Sequence, residues 1–464
     1  MKKRVYILFL ILIVFSTTGL SCTKSGDLAA VKSLKTPITL NWWQVYEGQE
    51  NFQAILADFK KSHPNITINY RLLRYEEYEQ ALLEGWAADE GPDIFTIHNN
   101  WVKKYNNKIL PLPAKIKLPY AESYSRTGQV EKAFFRETPT YTPQTIKRDF
   151  VDVVAGDVIN DKGEILGLPL SVDTLALFYN RDLLDQAKVF NPPQTWAEVL
   201  EASKKITLQD NEGNIIRSGL AFGGIDNVNN IFDIISLLML QNGTQMFDAA
   251  NGSVTFNQPT SYAQNSSYYP GAEAVRFYSD FAMPSREAYT WNETMPEAQE
   301  AFVRGNLGMM LGYAYQIPFI KAQGSRLNWG VVKVPHINSN GMDTSGYETN
   351  YASYWLQTVS KKTKYPDEAW GFVSYLTSTQ NAERYLSLAK KPAALRSVLE
   401  KQFADPEITV FANQALTAKS WYKGMNVGYA RDAFKNMIKD VVVNQKPANE
   451  VINFTAQQVT QTLR

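Results

Sequence analysis

The chain has 464 residues, and its 47 lysines and arginines nearly balance 46 aspartates and glutamates, which gives a formal net charge of +1. Hydrophobic residues make up 44% and charged residues 20%, as is typical of a globular protein, and the length predicts two domains. A chain without a basic excess is poorly suited to bind polyanions, so we expect no nucleic acid partner.

The amino-terminal segment is predicted to be a signal peptide comprising residues 1–21. Three basic residues at positions 2–4 precede an apolar run from Val5 to Phe15, and small residues then lead to Cys22. The apolar run is shorter than the ~20 residues that a membrane-spanning helix needs. The pattern is therefore that of a removable targeting segment.

Cys22 is the only cysteine of the chain, so no internal disulfide is possible. Its position after the apolar run resembles the lipobox of bacterial lipoproteins, in which the cysteine receives a diacylglycerol, although Gly19 stands where that motif usually has leucine. The resemblance implies a lipid anchor on Cys22, contact with a membrane, and a polar linker over residues 22–36. An ordinary cleaved signal peptide with an incidental cysteine is the alternative.

The first part of the folded chain is predicted to be a parallel β-α-β-α-β unit. Strands are expected over residues 38–43, 66–72 and 94–97, and the helices between them have apolar residues at helical spacing. Ligands bind beyond the carboxyl ends of such strands. Those ends are predicted at Trp42 and Trp43 and at residues 98–101. Because neighbouring residues of a strand point to opposite sides, only one of the two tryptophans can face a ligand.

A second strand-forming motif follows at residues 169–180. Pro169 blocks a helix, and the apolar run from Leu175 to Phe178 is typical of a strand that is buried on both faces. The motif resembles the signature of the bacterial family 1 extracellular solute-binding proteins, the family of the maltose-binding protein, except that Gln186 replaces a charged residue or asparagine. In that family this strand carries the chain between two lobes, so Asp173 and Thr174 would lie at the hinge.

The resemblance extends, with gaps, from about residue 36 to the end of the chain. It includes Gly91-Pro92-Asp93 before the third strand, the passage over residues 304–315, and a late helix that begins at Pro366. Residues 114–150 show no clean period and are interpreted as an insertion. Two carboxyl-terminal helices are predicted over residues 430–443 and 448–463.

The family resemblance implies an α/β fold of two lobes, the type II periplasmic-binding-protein or Venus-flytrap fold, with a ligand cleft between the lobes. The amino-terminal lobe would comprise residues 37–171 and 345–390. The carboxyl-terminal lobe would comprise residues 172–344 and 391–464. The protein would be a monomer that binds a small solute outside the cytoplasm and delivers it to the membrane subunits of an ABC importer; the sequence contains no ATPase motif.

Aromatic residues make up 12% of the chain, and those at strand ends or lobe edges are candidates to stack on a sugar ring, although most single aromatics belong to the core. The turn at Tyr313 and Tyr315 resembles the glycine-aromatic turn that stacks a sugar in the family. Asp173 is expected either to accept a ligand hydroxyl or to hold the hinge backbone. The complete set of predicted ligand-binding residues is Trp42, Trp43, Asn100, Trp101, Asp173, Trp291, Tyr313, Tyr315 and Trp421.

Catalytic motifs for nucleophilic hydrolysis, zinc proteolysis, phosphate binding or dinucleotide binding are absent from the sequence. With three scattered histidines and one cysteine, neither a metal site nor a cofactor is expected. The sequence therefore predicts a sugar- or oligosaccharide-binding protein rather than an enzyme. The alternative is a secreted, membrane-anchored enzyme that acts on carbohydrate, since paired carboxylates cannot be dismissed by counting acidic residues.

Overall fold

The computed structural model describes residues 27–259, 268–337 and 348–463. The predicted signal peptide and Cys22 lie outside this part of the chain. The strands found in it are β1 (Ile38–Val45), β2 (Ile66–Leu73), β3 (Ile94–His98), β4 (Lys115–Tyr124), β5 (Val130–Pro139), β6 (Leu168–Pro169), β7 (Asp173–Thr174), β8 (Ala176–Asn180), β9 (Leu208–Gln209), β10 (Ile215–Leu220), β11 (Phe247–Asp248), β12 (Ser253–Val254), β13 (Leu307–Gly312), β14 (Trp329–Lys333), β15 (Asn350–Ser353), β16 (Trp355–Val359) and β17 (Ala418–Lys419).

The helices of the same described residues follow the apolar periodicity of the sequence. They are α1 (Leu28–Lys35), α2 (Gln53–Ser62), α3 (Tyr75–Ala87), α4 (Val102–Tyr105), α5 (Pro143–Asp149), α6 (Asp152–Val158), α7 (Arg181–Gln186), α8 (Trp196–Ile206), α9 (Ile231–Gln241), α10 (Pro270–Asp280), α11 (Ala298–Val303), α12 (Ile317–Gln323), α13 (Pro366–Leu376), α14 (Thr379–Ala389), α15 (Arg396–Gln402), α16 (Thr409–Ala415), α17 (Val427–Val442) and α18 (Ala448–Gln461). Short 3-10 helices cover Gln49–Asn51, Asn99–Trp101 and Ala314–Gln316.

The first sheet has the strand order β2-β1-β3-β16-β6, and β1 runs parallel to both β2 and β3. The predicted parallel unit is therefore confirmed. Strand β16 comes much later in the chain and lies antiparallel beside β3. Trp42 packs against Phe372 of α13, and Trp43 packs near Gly85 of α3, so helices cover both faces of this sheet.

The second sheet has the strand order β14-β8-β13-β10-β9. Strand β8 lies at the position where the sequence predicts a strand buried on both faces, and all five of its residues are buried. It runs antiparallel to β13 and to β14, whereas β10 runs parallel to β13. A capping box begins α8: the hydroxyl of Thr195 accepts from Glu198 N–H, and the Glu198 carboxylate accepts from Thr195 N–H.

Three short strands, in the order β17-β15-β7, lie where the chain passes from one sheet to the other. Strand β7 separates β6 of the first sheet from β8 of the second. Strand β15 separates β14 of the second sheet from β16 of the first. Backbone pairing between β7 and β15 therefore joins two segments that connect the lobes.

The segment that showed no clean period in the sequence forms the β4–β5 hairpin followed by α5. Register shifts on either side of Ser123 interrupt the alternation of buried and exposed residues, which explains why the sequence pattern was not readable. Helix α1 packs on this hairpin through Ala30 and Leu34. Residues 28–35, which were expected to belong to a polar linker, therefore form a packed helix.

Among the described residues, we find no helix with both the length and the apolar character required to cross a membrane.

Candidate functional site

Trp42 and Trp43 do not lie at a strand end, because β1 continues to Val45. Trp42 is fully buried, and its indole N–H donates to Oε1 of Gln357 over 2.9 Å. Trp43 is also buried, with the guanidinium of Arg71 4.7 Å from the centre of its ring. The expectation that one of the two tryptophans faces the cleft is therefore wrong: both belong to the core of the first lobe.

Tyr46 is the residue that leaves the carboxyl end of β1. It adopts a left-handed backbone conformation with φ of +67°, and 61% of its surface is exposed. Its ring stacks on that of Tyr75 with centroids 5.5 Å apart, and it meets the ring of Trp355 edge to face at 5.7 Å. Trp101 contacts both Tyr75 and Trp355. These four rings, Tyr46, Tyr75, Trp101 and Trp355, form what we call the first-lobe aromatic wall.

The second lobe contributes Tyr313 and Tyr315, whose rings stack with centroids 5.8 Å apart and planes 18° from parallel. Tyr313 is buried, and its hydroxyl donates to Oδ2 of Asp233 over 2.7 Å. Tyr315 is 53% exposed, yet the protein around it is dense enough that burial raises the pKa of its hydroxyl. Tyr315 also acts electrostatically on Tyr46 of the other lobe. The hydroxyls of these two exposed tyrosines are therefore close enough to interact electrostatically.

Asp173 lies in β7 and is buried. Its carboxylate accepts hydrogen bonds from the backbone N–H groups of Ala314, at 3.1 Å, and Tyr315, at 3.3 Å. It also accepts from Thr174 N–H at 2.9 Å. Burial raises the pKa of Asp173 to about 6, against the opposing effect of these donors. Of the two roles expected for Asp173, the structure favours the one that holds the hinge backbone.

The space between the lobes also contains buried polar groups that are incompletely bonded. Asn100 and the Tyr351 hydroxyl lie near each other. Within the described part of the chain, neither completes a hydrogen bond of normal geometry. His98 is 3.0 Å from the hydroxyl of Ser353, and burial lowers the pKa of its imidazole to about 3, with the nearby charge of Arg431 acting in the same direction. His98 is therefore neutral at physiological pH, and together with Asn100 and Tyr351 it forms a polar, uncharged floor.

Arg431 of α17 provides a positive charge beside this floor. It lies within electrostatic range of Asp233 from its own lobe and of Tyr75 and Tyr351. Burial raises the pKa of Asp233, and Arg431 opposes that change. The carboxylate of Asp233 and the guanidinium of Arg431 therefore offset each other, which leaves this part of the cleft close to neutral.

Trp291 and Trp421 do not lie on these surfaces. The indole N–H of Trp291 donates to Oδ1 of Asn227 over 2.9 Å, and the residue is fully buried. The indole N–H of Trp421 donates to the hydroxyl of Ser236 over 2.8 Å, and its ring stacks on Phe232. Both tryptophans are core residues of the second lobe, because each has satisfied its one polar atom internally, and the expectation that they bind ligand is not supported by their placement.

Several cleft residues were missed from the sequence, and the reasons differ. Tyr75 follows the carboxyl end of β2, so the rule applied to the first and third strands would have found it. Trp355 begins an antiparallel strand, and its position at the same sheet edge follows only from the direction of β16. Arg431 lies on a helix that is remote in sequence from every predicted site residue, and no local pattern distinguishes it.

Comparison with known families shows that residues 44–383 match the bacterial extracellular solute-binding proteins. The chain belongs to this family. Among relatives in the family, the galactooligosaccharide-binding protein of Bacillus subtilis is 22% identical over 379 residues, which is 80% of this chain and 78% of the relative. The multiple sugar-binding protein of Streptococcus mutans is 22% identical over 383 residues, or 82% of this chain and 80% of the relative.

Solved structures of solute-binding proteins have the same fold. The GacH receptor of Streptomyces glaucescens, determined without ligand and with acarbose, superposes with a TM-score of 0.67 at 20% sequence identity and covers 92% of this chain and 98% of the receptor. The maltose-binding periplasmic protein of Listeria monocytogenes, in complex with maltose, superposes with a TM-score of 0.68 at 17% identity and covers 91% and 97%. The predicted two-lobe α/β fold is confirmed.

Proposed function

We propose that this protein binds a sugar or oligosaccharide in the cleft between its lobes and delivers it to an ABC importer. The observation that carries the proposal is the pair of exposed tyrosines, Tyr46 and Tyr315, which come from different lobes and whose hydroxyls interact electrostatically. Relatives named for galactooligosaccharides and multiple sugars support carbohydrate as the ligand class. The site consists of Asn100, Trp101, Tyr313 and Tyr315 from the sequence prediction, joined by Tyr46, Tyr75, Trp355, Tyr351 and Arg431.

The chemistry of the cleft suits a sugar because the ligand presents both apolar and polar surfaces. The C–H faces of a sugar ring can stack on Tyr315 and on the first-lobe aromatic wall, where the aromatic faces carry the negative part of the ring quadrupole. Sugar hydroxyls can donate to and accept from the amide of Asn100 and the hydroxyl of Tyr351. Both groups are buried and incompletely bonded, and a ligand that satisfies them removes an energetic cost of the empty cleft.

Binding is proposed to close the two lobes about the connecting strands. We place the first lobe at residues 37–171 and 345–390 and the second at residues 172–344 and 391–464. The order of the strands supports a return to the first lobe, since β16 of the first sheet follows β14 of the second, and the boundary at residues 344 and 345 lies outside the described residues. Hinge closure would bring Tyr315 against a ring that already rests on the aromatic wall, and the closed monomer would then dock on the membrane subunits of the importer.

Anchoring is proposed to occur through a lipid on Cys22, after removal of residues 1–21, on the outer side of the cytoplasmic membrane. The support is the sequence around Cys22 and the membership of an extracellular family. Cys22→Ser is expected to move the protein from the membrane fraction to the soluble fraction when the membranes are washed with 0.5 M NaCl, which also releases proteins held by charge alone. A Cys22→Ser protein that is processed normally and remains with the membrane would contradict the lipid anchor.

The experiment that tests the function is a titration of the purified protein with a panel of oligosaccharides, followed by chromatography of the sugars. We expect reversible binding and recovery of every sugar unchanged. At a concentration 100 times the dissociation constant, a ligand adds about 2.7 kcal/mol to the free energy of unfolding, which is readily visible as a higher melting temperature. A sugar that is cleaved, with cleavage abolished by substitution of one carboxylate, would establish the enzyme instead.

Two carboxylates that act electrostatically on Tyr315 already have structural partners. Asp173 is bonded to three backbone N–H groups, and Asp233 is bonded to the Tyr313 hydroxyl. These contacts favour binding over hydrolysis, because a catalytic carboxyl must be free to meet the glycosidic oxygen or the attacking water. If no sugar of the panel shifts the melting temperature, the carbohydrate assignment is wrong.

A further inference from the structure

Helix α1 and the β4–β5 hairpin pack together into a unit on the first lobe. The backbone N–H of Asp27 donates to the carbonyl of Ala133 in β5 over 2.9 Å. Immediately after it, Ala30 and Leu34 of α1 are buried in a small apolar cluster with Ala133. The chain is therefore fixed to the hairpin from Asp27 onward.

The two faces of the hairpin have different partners. On the inner face, Ile116 and Leu118 join the main core, and Leu118 contacts the backbone of α13 at Gly371. On the outer face, Ala133 of β5 and Ala121, the residue paired with it in β4, lie beneath α1. Because side chains alternate along a strand, Lys115 and Lys117 lie on this outer face, away from the body of the protein.

The outer face of the unit is basic. Leu28, Lys32 and Lys35 occupy the exposed side of α1 at helical spacing, and Leu28 is 85% exposed. Lys117 of the hairpin is exposed, with its ammonium 4.9 Å from the centre of the Phe135 ring. We call the four exposed lysines the basic outer face, and they are Lys32, Lys35, Lys115 and Lys117. Glu137 lies on the same face, opposite Lys117, and pairs with Lys115 over 3.2 Å, so it offsets part of this charge and leaves an excess of positive charge on the face.

The length of chain before Asp27 places this face next to the membrane. Only five residue steps separate Cys22 from Asp27. Each step spans at most about 3.6 Å, so Asp27 lies no farther than roughly 18 Å from Cys22, and this tether allows the outer face to come against the lipid surface. Basic segments within about a Debye length of that surface are attracted to anionic head groups, and a lipid chain holds a protein more firmly when a basic patch assists it.

We propose that the basic outer face rests on anionic phospholipid head groups and sets the orientation of the protein on the membrane. The proposal rests on the lipid anchor proposed for Cys22. Its consequence is that the protein does not swing freely on its tether: the first lobe is held against the lipid surface through the hairpin.

The first test measures how close the outer face lies to lipid in the anchored protein. Cys22 is the sole cysteine and is blocked by acylation, so a second cysteine can be labelled alone with a fluorophore. Pro139→Cys lies on the outer face opposite Lys115, and Phe190→Cys, at a residue 79% exposed beyond α7, is the distant control. The lipidated protein is placed in vesicles of phosphatidylglycerol and phosphatidylethanolamine, 1:3, that contain a lipid with a nitroxide on its head group.

We expect at least threefold more quenching at position 139 than at position 190. Lys32→Glu with Lys35→Glu should reduce quenching at position 139 to the level of the control position. The matched pair Lys188→Glu with Lys205→Glu, on exposed residues of the second lobe, should leave it unchanged. Equal quenching at positions 139 and 190 would overturn the proposal while leaving the anchor intact. So would quenching at position 139 that does not change when Lys32 and Lys35 are replaced by glutamate.

The second test separates this proposal from the anchor, because it uses no lipid on the protein. The soluble Cys22→Ser protein should float with phosphatidylglycerol-containing vesicles at least tenfold more than with phosphatidylcholine vesicles, and 0.5 M NaCl should abolish the difference. The Lys32→Glu, Lys35→Glu variant should lose this binding at an unchanged melting temperature. Equal flotation with both vesicles, or self-association through the outer face in place of lipid binding, would show that the face has another partner or none. If cells produce the wild-type protein without a lipid on Cys22, and that protein still binds anionic vesicles, only the anchor is refuted.

Discussion

Tyr315→Ala is the sharpest test of the cleft, because we propose that this exposed aromatic side chain is the surface that the second lobe offers to the ligand. An aromatic side chain presents roughly 200 Å² of surface, and 53% of Tyr315 is exposed. A sugar ring that covers half of what is exposed removes about 50 Å² from water, which stabilises the complex by about 1.3 kcal/mol. Stacking contributes roughly a further 1 kcal/mol beyond that burial.

The expected loss on Tyr315→Ala is therefore about 2 kcal/mol, which corresponds to a dissociation constant about 30 times higher. Isothermal titration calorimetry with the best sugar of the panel measures it directly. Tyr315→Phe keeps the ring and should retain most of the affinity. Tyr124→Ala removes a tyrosine of similar exposure, 55%, from the hairpin and serves as the matched control.

The melting temperature of the empty protein distinguishes a ligand platform from a core residue. Tyr315→Ala loses the stack on Tyr313, and this should lower the free energy of unfolding by no more than about 1.5 kcal/mol. A variant that unfolds readily but binds sugar with wild-type affinity when folded would refute the reasoning. The ligand surface would then have to be assigned to the first-lobe aromatic wall alone.

Three further variants test other parts of the structure. Asn100→Ala should weaken binding about three- to tenfold in calorimetry without lowering the melting temperature, because it removes a buried amide that is incompletely bonded; a large loss of stability would contradict this. Trp42→Phe should lower the free energy of unfolding in urea by about 1–3 kcal/mol and leave the affinity unchanged, since Trp42 is a core residue bonded to Gln357. A loss of affinity at normal stability would show that Trp42 belongs to the ligand site. For Asp173, the folded pKa of about 6 lies above the ordinary value of 3.8, so its stabilising contribution is full below about pH 4 and is lost as the pH rises through 6. The asparagine of Asp173→Asn does not titrate, so the free energy of unfolding of this variant relative to wild type should rise by up to about 3 kcal/mol between pH 4 and pH 7. A fall over that interval would show that folding lowers the pKa of Asp173 instead of raising it.

The parts of the fold that could be predicted are those in which local pattern and burial agree. Strand β8 was recognisable because its apolar run is covered on both faces, and all its residues are buried. The parallel order of β1, β2 and β3 followed from alternating strands and helices. The β4–β5 hairpin was not recognisable, because register shifts near Ser123 and a helix on its outer face disturb the two-residue period.

The candidate site was harder to predict, since it depends on where each strand ends in space. The two tryptophans of β1 were predicted to mark the end of the strand, but they lie within it. Tyr46, three residues after Trp43, follows the actual end of β1 and satisfies the rule that ligands bind beyond the carboxyl ends of parallel strands. Tyr315 was found because a local turn carried the family resemblance. Arg431 and Trp355 come from segments distant in sequence, and only the assembled lobes bring them beside Tyr75.

The contacts of Asp173 connect the ligand platform to the hinge. Asp173 belongs to β7, which pairs with β15, and its carboxylate accepts from two successive backbone N–H groups, those of Ala314 and Tyr315, in the turn. A shift of the turn toward a stacked sugar must therefore move either these hydrogen bonds or the connecting strands. Because a buried carboxylate that loses its donors is costly, movement of the strands is the cheaper response. We therefore expect ligand stacking to be coupled to lobe closure, and a change at Asp173 should alter that coupling.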